Sequence, residues 1–294
     1  MHKKIGYRTL TIGLSVGLGL LVSATVAKAQ QYTVTTPTQD DVYCSGVISD
    51  KPVPNDIYLI SGEDSRYRTT FQQGEFVYIN KGAAQGVKVG DEFEVVRQRS
   101  DMMATNVWFK YQAMLTRAMG TRYADIGRLR VVHVEAKTST AETEVSCEPM
   151  YRGDLVRPFV ARPAPQFHVV KLDPFAAPSG KKTAMVVTAK DYDTLTGPGK
   201  IVYVNLGSAQ GVRVGDYFRM FRYQGTRIET VAQVPDTAYK AYGFGSTPVA
   251  YQWNDLPRQV LGEGIVVRTG ANSSTVLMTT AREEIFIGDY VEVE

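Results

Sequence analysis

Gly82, Gly86 and Gly90 in "KGAAQGVKVGDEFEVVR" have the density of a phosphate-cradling loop, in which backbone N–H groups close around an anion. Such loops open a helix or end in Lys-Ser/Thr. Here Val87-Lys88-Val89 follows Gly86, and an alternating apolar run follows Gly90. The stretch "PSGKKT" at 178–183 has the ending without the beginning, because position 175 is Phe175 rather than glycine. Asp191, Asp193 and Gly197 imitate the start of a calcium loop, but its twelfth position is Val202, where a bidentate glutamate belongs. The reading that remains for all three is turn chemistry. Glycine reaches φ > 0, and a short aspartate bonds the turn's own backbone.

Catalytic sets are equally thin. Beyond the first residues the chain has two histidines, His133 and His168, and neither a Gly-x-Ser-x-Gly elbow nor His-x-x-x-His or Cys-x-x-Cys spacing. Adjacent carboxylates such as Asp40-Asp41 and Glu283-Glu284 would point to opposite faces of a strand. The chain is therefore read as no enzyme, with no cofactor and no metal. The two cysteines, Cys44 and Cys147, are expected to form a disulfide.

The elements that must position these residues are written twice. Residues 75–97 align without a gap on 200–222, placing Tyr78 on Tyr203, Asn80 on Asn205, Gly82 on Gly207, Gly86 on Gly211, Gly90 on Gly215 and Asp91 on Asp216. A second block from Gly127 lies on one from Gly262 and ends with Gly153-Asp154 on Gly288-Asp289. The offset grows from 125 to 135 between the blocks, so the second copy carries a ten-residue insertion. Runs such as "EFVYIN", "DEFEVVR", "KIVYVN" and "STVLMTT" have strand periodicity, and each Gly-Asp pair is expected to turn a corner into a strand. Trp108, Tyr111, Leu115 and Met119 recur at helical spacing, which predicts a short helix within 101–119.

The expected fold is mainly β, with two tandem small β-barrel-like modules of the SH3/OB type joined by a Pro-rich linker. The modules span 44–160 and 179–294, a short segment covers 30–43, and the linker runs over 161–178 as a spacer with Pro163, Pro165, Pro174 and Pro178. Residues 1–29 have the basic start, apolar core and Ala27-Lys28-Ala29 ending of a Sec signal peptide. Its removal would take Lys3, Lys4, Arg8 and Lys28, leaving 29 basic against 30 acidic side chains in about 265 residues and no transmembrane segment. A near-neutral chain lacks the electrostatic footprint for nucleic acid. Export would place it in the periplasm or at the outer envelope or cell surface, where disulfides persist.

Strand, Asn-x-Gly-x-x-x-Gly-Val-x-x-Gly-Asp, strand, then Gly-x-x-x-Val-Val and a closing Gly-Asp-x-Val form an order that resembles the C-terminal β domain of flagellar assembly protein T. It is also similar to the domain following LysM in type IV pilus secretin-associated proteins. Asn80, Gly82, Gly86, Val87, Gly90, Asp91, Val131, Val132, Gly153 and Asp154 carry it, and Asn205, Gly207, Gly211, Val212, Gly215, Asp216, Val266, Val267, Gly288 and Asp289 carry it again. The resemblance implies a non-catalytic accessory component of a cell-envelope assembly with a protein partner; peptidoglycan or another glycan is the alternative ligand. The inserted "YKAYGFGSTPVAYQW" gathers Tyr239, Tyr242, Phe244, Tyr251 and Trp253, rings that suit either a partner surface or a cap on the barrel.

Overall fold

The computed structural model describes residues 36–99, 112–169, 171–224, 228–231, 247–250 and 256–294. In chain order the first half forms α1 (Gln39–Tyr43), β1 (Val47–Ser49), β2 (Leu59–Gly62), β3 (Thr70–Phe71), β4 (Phe76–Ile79), β5 (Glu92–Gln98), α2 (Gln112–Met119), β6 (Thr121–Val134), β7 (Ser139–Ser146), β8 (Met150–Tyr151) and β9 (Leu155–Pro158). The second half forms β10 (Thr183–Ala189), β11 (Leu195–Thr196), β12 (Ile201–Val204), β13 (Tyr217–Arg222), β14 (Ile228–Val231), β15 (Thr247–Ala250), β16 (Gln259–Thr269), β17 (Ser274–Ala281), β18 (Ile285–Phe286) and β19 (Tyr290–Val293). The chain is mainly β, as its periodicity predicts. The expected helix within 101–119 is α2, and Trp108 and Tyr111 lie outside the described residues.

Both halves repeat one strand order. The second closes into a six-stranded barrel, β10-β12-β17-β16-β13-β19, and the first follows β2-β4-β7-β6-β5-β9 with β1 added beside β6. The first sheet is drawn round by a bridge between Tyr58 and Leu155. There Leu59 N donates to Asp154 O (2.9 Å) and Gly153 N to Leu59 O (2.8 Å), and in the second barrel Val186 N and Gly288 N make the matching bonds with Asp289 O and Val186 O. Even the irregularities agree: the register slips between Leu59 and Ser61 in one sheet and between Val186 and Thr188 in the other.

Strand alternation sorts apolar residues to two sides. Val202, Val204, Phe218, Met220, Val276 and Met278 fill the second barrel. Val77, Ile79, Phe93, Val95, Leu129 and Val131 do the same inside the first sheet. The outward Val187, Tyr203, Ile265, Val267 and Leu277 of the second barrel are also buried, against Val42 of α1, Ile48 of β1 and Met119 of α2. An apolar cluster thus joins elements preceding and within the first sheet to the wall of the second barrel.

The Pro-rich segment lies along protein rather than free of it. Arg162 N donates to Tyr43 Oη (2.8 Å) and His168 N to Tyr217 Oη (3.0 Å). Phe167 packs on the shared cluster, and Val260 N donates to Pro174 O (2.9 Å).

The repeated glycines divide by physical role. Gly86, Gly90, Gly153, Gly211, Gly215 and Gly288 sit at φ between 83° and 100°, the left-handed region. Gly82 and Gly207 are extended, at φ −139° and −138°. Their requirement is space: a Cβ on Gly207 would stand 2.5 Å from both Gly270 O and Ser273 N, and one on Gly82 2.4 Å from Glu135 O. Gly86 has open space around it. Gly207→Ala is accordingly expected to cost about 3 kcal/mol by forcing backbone apart, against ~1 kcal/mol for Gly86→Ala, which only strains φ. Urea unfolding of both variants checks the order, and equal costs would refute the distinction.

Candidate functional site

All four expected corners are built by the same bond. Asp91, Asp154, Asp216 and Asp289 accept the backbone N–H three residues earlier, from Lys88 (2.9 Å), Tyr151 (2.7 Å), Arg213 (2.8 Å) and Phe286 (2.8 Å). Gln85 and Gln210 cap the preceding turns by accepting from Gly82 N (2.9 Å) and Gly207 N (2.8 Å). The buried Asp154 and Asp289 each hold an arginine through both oxygens, Arg97 (2.7 and 2.7 Å) and Arg222 (2.9 and 2.6 Å). These guanidinium groups lie over the rings of Tyr151 and Phe286. Arg97 and Arg222 occupy matched positions and are corner residues that the Gly-Asp pattern did not pick out; their retention at the 125-residue offset was the available signal. The turn at 191–200 is held by Lys200, whose Nζ is 3.6 Å from Asp191 and 3.2 Å from Asp193. Among the described residues, no group of three or more His, Cys, Asp or Glu side chains could hold a metal.

Cys44 and Cys147 form a disulfide across 103 positions, with Cα atoms 5.5 Å apart. Cys44 caps α1, so the bond ties that helix to the end of β7. From there the chain turns into β1 and meets the second barrel. Tyr203 Oη donates to Ser45 O (2.9 Å), and Thr275 Oγ1 donates to Gly46 O (3.2 Å). Asp125 accepts Gly46 N (2.8 Å) and pairs with Arg268 (2.9 and 3.0 Å). Burial pushes the Tyr203 hydroxyl up to about 12, keeping it a donor.

The two copies then disagree in a systematic way. Arg157, Glu94 and Arg128 lie side by side across β9, β5 and β6. At the matched places on β19, β13 and β16 stand Glu292, Arg219 and Glu263. Every charge in the row is inverted. A further arginine from outside the row joins each buried pair: Arg162 reaches Glu94 (2.9 Å), and Arg258 reaches Glu292 (2.6 Å). Burial alone would raise the Glu292 carboxyl, but Arg258, the Ser179 N–H and Arg219 bring it below its ordinary value. Glu263 has only the weaker relief of Arg219. Burial, then the charge of Glu294 and a hydrogen bond to it, push its carboxyl up to about 8 against a smaller opposing effect of Arg219.

In the first copy this row borders a cavity of about 270 Å³ whose lining includes Tyr43, Glu94, Arg128, Cys147, Phe159 and Arg162. Tyr43 and Phe159 have ring centroids 5.3 Å apart, and the guanidinium groups of Arg162 and Arg128 lie 5.1 and 5.0 Å over them. Both oxygens of Glu94 are engaged, by Arg157 (2.8 Å) and Arg162 (2.9 Å). Planar cations held on rings can recognise an acidic or planar group. The lining offers binding chemistry, with no nucleophile paired to a base.

Of the expected site residues, the structure brings Cys44 and Cys147 together and sets ten of the twelve Gly and Asp positions in turns, with Gly82 and Gly207 extended against neighbouring backbone; none of the twelve lines this cavity. Tyr239, Tyr242, Phe244, Tyr251 and Trp253 lie outside the described residues, as do residues 1–29, the expected leader. No described helix is long and apolar enough to cross a membrane. No family model matches the chain, and none of the curated proteins matches it in sequence.

Proposed function

We propose that the chain is an exported, non-catalytic scaffold of the bacterial envelope that acts by holding a protein partner. One observation carries this reading: the glycine, aspartate and glutamine positions shared by the two copies are spent on turns, caps and buried ion pairs, so the repetition maintains a shape. The disulfide supports an oxidising compartment, in line with the leader-like residues 1–29. The order of turns supports a kinship with the β domains of flagellar assembly protein T and of the pilus secretin-associated proteins. The cavity beside Arg128 and Arg162 and the open wall of the first sheet are two surfaces suited to contact.

The test has two arms. Purified protein is mixed with isolated sacculi and centrifuged, and it is expected to stay in the supernatant. In cells, a photo-crosslinker at the exposed Asp40, on the cavity rim, is expected to give a discrete protein adduct that is lost in an Arg162→Glu variant. Saturable sedimentation with sacculi would replace the protein-partner reading with the glycan one.

A further inference from the structure

The duplication supplies its own docking precedent. On the wall of the second barrel, Tyr203, Thr275 and Arg268 bind Ser45 O, Gly46 O and Asp125, while Val187 and Val267 pack on Val42, Ile48 and Met119. The ligand of that wall is the bend Ser45–Gly46, with Gly46 at φ 70°, which leads directly into β1 and has the carboxylate of Asp125 beside it.

The same wall of the first sheet carries Tyr78, Thr140, His133, Ile60 and Val132 at the matched positions. Tyrosine, threonine and one valine are identical, and a cationic or protonatable group again stands where Arg268 does. Both walls also slip register at this spot, between Val131 and His133 and between Val266 and Arg268. Yet the first wall is open: Tyr78 is 37% exposed, Ile60 37% and Val132 38%, whereas their counterparts are at most 2% exposed. Among the described residues, His133 pairs with a neighbouring exposed side chain, Glu135, at 3.0 Å.

We infer that this wall of the first sheet is a docking site for a glycine-containing bend that leads into a strand of a protein partner. The segment offers successive backbone carbonyls to Tyr78 and Thr140, an apolar side chain between Ile60 and Val132, and a carboxylate that displaces Glu135 from His133. The inference deepens the scaffold reading and rests on it. The occupant is a foreign segment rather than this chain's own β1, because β1 is paired to β6 and seated on the second barrel.

The test uses the full chain, isotope-labelled, and a synthetic peptide of the sequence Ser45–Asp50 as the probe. Titration is expected to give saturable NMR shifts at Ile60, Tyr78, Val132, His133 and Thr140. Tyr78→Phe, which removes one hydroxyl from an exposed ring, is expected to weaken binding roughly fivefold, the loss of one net hydrogen bond, without changing the melting temperature. Absence of shifts at millimolar peptide, or shifts confined to the second barrel, would overturn the inference. Concentration-dependent self-association abolished by Val132→Asp would overturn it too, by making a second copy the occupant. The scaffold reading fails by a different measurement, sedimentation with sacculi, so the two failures are distinguishable.

Discussion

Replacing Cys44 and Cys147 by serine together is expected to lower the unfolding free energy by ~4–5 kcal/mol, the chain-entropy value for a loop of about a hundred residues. For a chain of this size that corresponds to a fall on the order of 10 °C in melting temperature. The bond also has a local consequence. It fixes the end of α1, and within two residues of Cys44 the chain supplies the carbonyls that Tyr203 and Thr275 use and the N–H that Asp125 accepts. Val42, two residues before Cys44, is fully buried in the cluster shared with the second barrel. Loss of the disulfide should therefore raise amide exchange in 42–49 and at Arg268 before it does so inside either sheet. Calorimetry of the double variant, of reduced wild-type protein and of each at equal pH gives the measurement. A melting temperature within a degree of wild type, or exchange rising first in the barrel interiors, would refute this account.

Short-range chemistry was legible in the sequence, and cross-strand chemistry was not. The Gly-Asp corners could be read because the glycine's φ and the aspartate's bond to a backbone N–H three residues back are properties of four adjacent residues. The disulfide could be read because only two cysteines were available and both were missing from the other copy. Gly82 and Gly207 looked like further turn glycines; what excludes a side chain there is a backbone more than fifty residues away. The inverted rows, Arg157-Glu94-Arg128 against Glu292-Arg219-Glu263, become visible only when strand register places them side by side. The difference between an open wall at Tyr78 and a covered one at Tyr203 belongs to tertiary packing, since the residues themselves are the same.

That inversion leads to the other large effect. Glu263→Gln is expected to stabilise the protein at neutral and alkaline pH and to leave it nearly unchanged near pH 4.5. Glu263 is 2% exposed, and its carboxyl keeps its proton up to about pH 8 in the folded state, whereas the unfolded chain releases it near the ordinary value of 4.5. Between these two values the folded state binds more protons, so stability falls as pH rises through the window and levels off above it. A shift of this size corresponds to several kcal/mol, at about 1.4 kcal/mol for each pH unit. The amide keeps the shape and can still bond Glu294, but it has no proton to lose. The slope from Glu263 should therefore vanish. Glu292 works in the opposite sense: held ionised below its ordinary range by Arg258 and Arg219, it contributes stability above about pH 4.5 that is lost as pH falls further. Wild type should thus be most stable near pH 5 and the variant should hold its stability to pH 9, with a gap at pH 8.5 of several degrees in melting temperature. Parallel pH profiles for the two proteins between pH 5 and 8 would show that Glu263 is ionised in the fold, and that Arg219 neutralises it as Arg157 and Arg162 neutralise Glu94.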